Sequence, residues 1–256
     1  MARIQNNRTQ TIVFSRIEDE VRIASLDGDQ LEEIFFEDMD SESVTGNIYL
    51  GKVENVVPSL EAAFVNIGIG RNAFLRFKDA SGQPKLEKNN KVLVQVRKDP
   101  IGSKGPQITL KVSIPGRSLV YTPFSKHIGI SKKITDQQER QRLTAVAKST
   151  LENKEGVIFR TAAFGVGDET IKEELESLRT NWNQICETFR RSRKPKILYE
   201  EPSFVEYILR ERLTENTKEI VVDSEELWHD VVAGISKFKS GFKPVVRYVE
   251  GDAFAS

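Results

Sequence analysis

Between Asn47 and Ile114 the sequence holds five short β-type runs: NIYLGKVENVV (47–57), AAFVNIG (62–68), NAFLRF (72–77), KVLVQVRK (91–98) and GPQITLKVSI (105–114). Pro58-Ser59 turns the first run back on the second. Short strands at close spacing are stable when the sheet closes on itself and leaves no bare edge. A small closed β-barrel is therefore expected here.

The flanks read differently. TIVF (11–14), VRIASL (21–26) and LEEIFF (31–36) alternate as strands. Asp27-Gly28 supplies hairpin chemistry between the last two, and DMDSES (38–43) is a polar break. After Pro115, SLVYTP (118–123) and HIGISKK (127–133) read as strands. Asp136-x-x-Glu139 forms a capping box for a helix through Leu151, and GVIFRT (156–161) is a strand. Asp168 opens a long helix to about Arg193. Its apolar residues, Ile171, Leu175, Leu178, Trp182, Ile185 and Phe189, fall on one seam that should pack on the sheet. The Arg190–Lys194 run, RRSRK, suits the negative end of that helix. Ser203-x-x-Glu206 caps a helix to Leu213, and EIVVD (219–223) is a strand. Asp223-x-x-Glu226 caps a helix to about Lys239, and VVRYV (245–249) is a strand. The last part thus alternates as an α/β unit.

A chain of 256 residues makes one large domain or two modest ones. Its formal net charge is +0, which taken alone argues against a polyanionic partner. The distribution argues for one. Residues 1–40 carry net −6, residues 41–150 net +10, and residues 151–256 net −4.

Several chemistries are disfavoured. Cys186 is the one cysteine, so there is no internal disulfide and no cysteine-based zinc cluster within one chain. A reducing, cytoplasmic setting is expected. No signal peptide or membrane-spanning run is recognisable, and the sequon at Asn7-Arg8-Thr9 reads as chance. His127 and His229 lack ligand spacing. Gly68-x-Gly70-x-x-Ala73 mimics a dinucleotide fingerprint but precedes a strand rather than a helix, and Ile101–Gly105 lacks P-loop spacing. No cofactor and no catalytic constellation are expected in this chain.

The basic β segment carries the functional signal. From Arg71 to Lys133 there are fourteen Lys or Arg and only Asp79, Glu87 and Asp99 as acids, with Phe64, Phe74 and Phe77 interleaved. A barrel that grips single-stranded nucleic acid needs a cationic groove for phosphates and exposed rings on which bases stack. The competing assignment puts the rings in the core and the lysines on a solvated face.

GNIYLGKVENVVPSLEAAFVNIGIGRNAFLRFKD (46–79) resembles the N-terminal region of the ribonuclease E/G family. KVLVQVRKDPIGSKGPQITLKVSIPGRSLVYTP (91–123), GVIFRTAA (156–163), ILYEEPSFVEYILRERL and EIVVD match in order and spacing. The resemblance spans nearly the whole chain. It implies an α+β fold in which an OB-fold barrel and a small α/β sensor are inserted into an RNase H-like α/β subdomain. The implied segments are 1–40 for the first strands of the RNase H-like subdomain and 41–112 for an OB-fold RNA-binding domain of the ribosomal protein S-one type. Residues 113–197 would form a five-prime-monophosphate sensor and 198–256 the remainder of the RNase H-like subdomain.

The resemblance also implies residue roles. Phe64, Phe74 and Lys104 would contact single-stranded RNA, with the glycines around Lys104 letting backbone approach the strand. Arg160 and Thr161 would grip the terminal five-prime phosphate, Val120 would supply backbone contact there, and Gly116 would let the chain turn. The competing role for Arg160 is a structural ion pair with a helix acid.

In the family, cleavage belongs to a later DNase I-like subdomain with two Mg²⁺-binding aspartates, followed by a zinc-binding CPxC link between subunits. Neither is recognisable before the closing GDAFAS, so no catalytic residue and no metal ligand is expected in this chain. The favoured expectation is an RNA-binding, five-prime-sensing half that takes part in RNA processing and decay. One alternative is an endoribonuclease, active only with a catalytic half from another chain or through a metal site hidden in the RNase H-like part; a catalytic partner chain or a homo-oligomer is the expected assembly. A second alternative is a protein-interaction module.

Overall fold

The computed structural model describes residues 10–38, 43–80, 86–152, 154–214, 216–237 and 244–255. The sequon at Asn7, most of the polar break before Ser43 and the end of the last helix beyond Lys237 lie outside the described residues. The chain divides into two compact units, one made of 1–42 with 202–256 and the other of 43–201.

The discontinuous unit is a five-stranded sheet with two helices. β1 (Gln10–Ile17), β2 (Glu20–Asp27) and β3 (Gln30–Asp38) form an antiparallel meander. β14 (Thr217–Val222) joins β1 in parallel, and β15 (Val245–Tyr248) joins β14 in parallel, giving the order β15-β14-β1-β2-β3. Alternation explains the layering. Ile12, Phe14, Ile23, Ile220 and Val222 point to one face. There they bury against Val205, Ile208 and Leu209 of α3 (Phe204–Arg212) and Leu227 and Val231 of α4 (Glu225–Lys237). Val13, Ala24 and Val221 point to the other face and meet Ala253.

Ser203 caps α3, its hydroxyl accepting from Glu206 N at 3.3 Å. Asp223 does not cap α4. Ser224 Oγ takes Leu227 N at 3.4 Å instead. The Asp223 carboxylate accepts from Arg16 N and Ala253 N, both at 2.9 Å, and so pins the end of β1 to the C-terminal loop.

The continuous unit begins with a closed barrel. β4 (Ile48–Val57), β5 (Ala62–Asn66) and β6 (Asn72–Arg76) pair antiparallel in succession. β8 (Gln107–Thr109) runs parallel to β6 and antiparallel to β7 (Lys91–Lys98), and β7 returns to β4. Five strands closed in this order are compatible with an OB-fold. Val53, Ala63, Val65, Ala73, Leu75 and Val94 fill the interior with no exposed surface.

The run 105–114, read as one strand, is two. Thr109 Oγ1 donates to Asp79 O at 3.0 Å and accepts from Lys111 N at 3.0 Å, which ends β8. β9 (Ile114–Pro115) then enters a second sheet with β10 (Leu119–Thr122), β11 (Ile128–Ile130) and β12 (Gly156–Phe159). The strand order there is β11-β12-β10-β9. α1 (Gln137–Thr150) and α2 (Asp168–Arg191) share its core, where Leu119, Tyr121, Val157 and Phe159 meet Leu143, Ile171, Leu175, Trp182 and Ile185. The apolar seam of α2 thus packs as its spacing predicts. One strand has no counterpart in the sequence reading. β13 (Lys196–Tyr199) pairs with β4 and extends the barrel sheet, but KILY is short, partly exposed and does not alternate in burial.

α1 starts at Asp136, whose Oδ1 accepts from Glu139 N at 2.9 Å. Asp136→Ala should lower unfolding stability by about 1 kcal/mol, read as a smaller urea midpoint at unchanged m-value. Asp168 is the first residue of α2 rather than its cap, which is Gly167. The Asp168 carboxylate pairs with Arg142, which also holds Glu139 at 2.7 Å. Glu139 accepts from Gly165 N at 2.9 Å, so α1 fastens the 161–167 turn. The Arg142 hydrogen bonds hold the Glu139 carboxyl below the usual carboxylate range, against the effect of burial.

Among the described residues, no helix is long and apolar enough to cross a membrane.

Candidate nucleic-acid interface

The barrel's outer wall follows from the same alternation that fills its interior. With Ala63, Val65, Ala73 and Leu75 turned inward, Phe64 of β5 and Phe74 of β6 must turn outward. They sit directly opposite each other in the register, their ring centroids 5.8 Å apart and tilted by 60°. Both are half-buried, and neither belongs to the barrel core. The register continues through Asn55 beside Phe64, Gln107 beside Phe74 and Lys98 beside Gln107. One band across the barrel therefore presents two rings, two amides and an exposed ammonium. Phe77 is half-buried in the turn after β6.

Lys104 lies in the turn that precedes β8. Ile101 and Lys104 exchange backbone hydrogen bonds at 3.2 and 3.0 Å across a tight turn, and Arg71 Nη1 donates to Gly102 O at 2.8 Å. Gly105 is needed by the protein's own backbone. A Cβ there would lie 1.9 Å from Asn72 O, so this glycine lets the turn lie against the start of β6 rather than leaving room for a strand of RNA. Lys104 is exposed. Not every cation on the barrel is available to a ligand, since the buried Asp79 pairs with Arg76 at 2.7 Å and Arg97 at 3.6 Å.

A second cluster lies on the four-stranded sheet. Leu119, Tyr121, Val157 and Phe159 face the helices, so Val120 and Ile158, partners in the register, face away. Arg160 extends β12 and donates its N–H to Ser118 O at 2.8 Å. Its guanidinium donates to Gly116 O at 3.0 Å. Gly116 has no left-handed φ. A Cβ there would come within 2.2 Å of Glu174 Oε1 and would push that carboxylate aside. That carboxylate accepts from Ser118 N at 2.9 and 3.2 Å and so folds the turn that faces Arg160.

Thr161 opens the next turn, and its hydroxyl lies 2.9 Å from Ser131 Oγ. Ser131 is held there by its N–H bond to Phe159 O at 2.8 Å and is followed by the exposed Lys132 and Lys133. Val120, Arg160 and Thr161 therefore fall on neighbouring positions of one sheet and its closing turn. Guanidinium and hydroxyl groups are donors of the kind a phosphate accepts from.

Sequence reasoning missed Ser131 and Glu174. Ser131 had a signal, a hydroxyl closing a β run immediately before two lysines. Glu174 had none, being one of several acids on a long helix.

A sequence profile described as the Ribonuclease E/G family matches residues 113–255. The chain belongs to the ribonuclease E/G family. Ribonuclease G of Haemophilus influenzae is 31% identical over 245 residues, covering 88% of this chain and 49% of the relative. Ribonuclease G of Escherichia coli K12 is 32% identical over 237 residues, covering 86% and 48%. Ribonuclease E of a Nostoc species is 37% identical over 213 residues, covering 76% and 31%. The chain thus spans about half or less of the curated relatives it matches. Membership supports a ribonuclease-related role. Among the described residues no group of three His, Cys, Asp or Glu side chains is gathered in a way that could hold a metal ion.

Proposed function

We propose that this chain binds single-stranded RNA on the outer wall of the barrel and holds the RNA's five-prime monophosphate at Arg160 and Thr161. The observation that carries the reading is the outward pair Phe64 and Phe74, in a register that continues through Gln107 to the exposed Lys98. Rings outside the barrel core, on a wall that also carries an exposed ammonium, suit a stacked base and its phosphate. Family membership favours RNA over other polyanions.

In this reading the barrel is the OB-fold module, and 113–197 is the end sensor. Phe64 and Phe74 stack bases, Lys104 meets a phosphate, and Arg160 and Thr161 donate to the terminal phosphate oxygens. Val120 lines that pocket. The discontinuous unit is then the RNase H-like support. The work is RNA processing and decay in the cytoplasm, with cleavage supplied by a catalytic half of the family's kind.

The test is titration of labelled RNA bearing a monophosphate, triphosphate or hydroxyl at its five-prime end. The monophosphate should bind about tenfold tighter than the hydroxyl, and Arg160→Ala should abolish that difference. Equal affinity for all three ends, unchanged in Arg160→Ala, would sink the end-sensing part.

A further inference from the structure

α2 ends beside a cavity of about 540 Å³ that neither the barrel wall nor the Arg160 cluster uses. It lies within the continuous unit and is lined by apolar side chains together with Phe124, Trp182, Cys186, Phe189, Lys91 and Arg190. Three of these are aromatic. Phe124 stands edge-on to Trp182 with centroids 5.3 Å apart and is itself half exposed. Phe189 lies under the Lys91 ammonium, 4.3 Å from the ring centroid. The volume and lining match small-ligand sites, which are largely apolar with few polar groups.

The charge at the rim narrows the ligand. A helix C-terminus ordinarily repels anions. Here Lys91 Nζ donates to the carbonyls of Phe189 at 2.6 Å and Ser192 at 3.1 Å, with Arg190 O at 3.5 Å. The lysine's protons are thereby committed to the helix end, and they cancel its negative pole. Arg190 remains at the rim as the guanidinium that can face a ligand. Arg191, Arg193 and Lys194 follow it in sequence, and Arg191 pairs with Glu187 on the helix itself.

We propose that this cavity binds a nucleotide, with the base against Phe124, whose ring abuts the buried Trp182, and the phosphate on Arg190. Aromatic walls accept any base, and a guanidinium suits a phosphate. The nucleotide is either a free mononucleotide or one residue of a bound strand. The second source rests on the RNA-binding reading above, and the first does not.

The test uses the fluorescence of Trp182, one of two tryptophans, in a Trp228→Phe background. AMP, adenosine and a single-stranded ten-nucleotide RNA are titrated separately. Saturable quenching by AMP, about tenfold weaker in Arg190→Ala and lost in Phe124→Ala, supports a free-nucleotide site. Quenching by the RNA alone, with the same sensitivity to both variants, assigns the cavity to a strand nucleotide. Adenosine binding as well as AMP, with Arg190→Ala silent, overturns the phosphate assignment. RNA that binds through Phe74 without moving Trp182 emission, with AMP equally silent, overturns the site and leaves the barrel reading intact.

Discussion

Arg179→Met should be strongly destabilising, costing about 3–5 kcal/mol. The reason is the carboxylate it strands. Arg179 and Glu155 are nearly buried, their side chains 11% and 10% exposed. Arg179 donates to Glu155 at 2.7 and 3.0 Å and to Thr150 O at 3.0 Å. Tyr121 donates its hydroxyl to the same carboxylate at 2.6 Å. One network therefore ties β10, the end of α1, the entry to β12 and the middle of α2. Removing the guanidinium leaves a buried charge with one hydroxyl and the Glu152 N–H as partners. Urea unfolding of Arg179→Met, Glu155→Gln and the double variant checks this. The double variant should lose less than the sum of the singles.

The same network sets an acid limit. Burial alone would raise the Glu155 pKa, but Arg179, Tyr121 and the Glu152 N–H outweigh it and bring it to about 2, from the ordinary 4.5. A depressed carboxyl stabilises the fold fully above its unfolded value. That contribution, up to about 3 kcal/mol, is lost as pH falls from about 4.5 towards about 2. Glu155→Gln should flatten stability against pH across that window. Tyr121 is pushed in the opposite direction, by burial first and by its hydrogen bond to Glu155 second, so it stays protonated at neutral pH.

Loss of the two barrel rings is expected to give the largest effect on binding. Base stacking on an aromatic side chain contributes about 1–3 kcal/mol per base, so each ring removed should weaken single-stranded RNA from about fivefold to over a hundredfold. Phe64 and Phe74 are half-buried, and truncation to alanine would confound stacking with packing. Phe64→Leu and Phe74→Leu keep apolar volume on the wall while removing the π face. They should lower affinity with little change in urea midpoint. Lys104→Ala should act differently, weakening all sequences alike and reducing the salt dependence by about 0.7 in log–log slope. Full affinity in the double leucine variant would place the bases elsewhere.

Elements with local grammar were legible in the sequence. The caps at Asp136 and Ser203 are side chains answering an N–H three residues on, and the structure has both. The α2 seam reads from spacing, because one helix face has one partner surface. Legibility failed where the partner is far away. Asp223 looks like a cap, yet its carboxylate is claimed by Arg16 N and Ala253 N. β13 exists because β4 offers an edge roughly 150 residues earlier, which no local pattern in KILY announces. At the candidate sites the split is similar. Phe64 and Phe74 could be named, but their outward pairing needed the register. Gly116 was singled out for a turn, although its constraint is the Glu174 carboxylate of a distant helix.

The most direct test is photo-cross-linking of one RNA carrying a photoreactive nucleotide either at its five-prime monophosphorylated end or several residues inside, with the linked peptides mapped. The internal label should fall on the 62–76 and 101–107 segments, and the end label on 116–121, 131–133 and 158–161. Both labels falling instead on residues 10–38 and 202–255 would contradict RNA binding by the barrel and end recognition at Arg160.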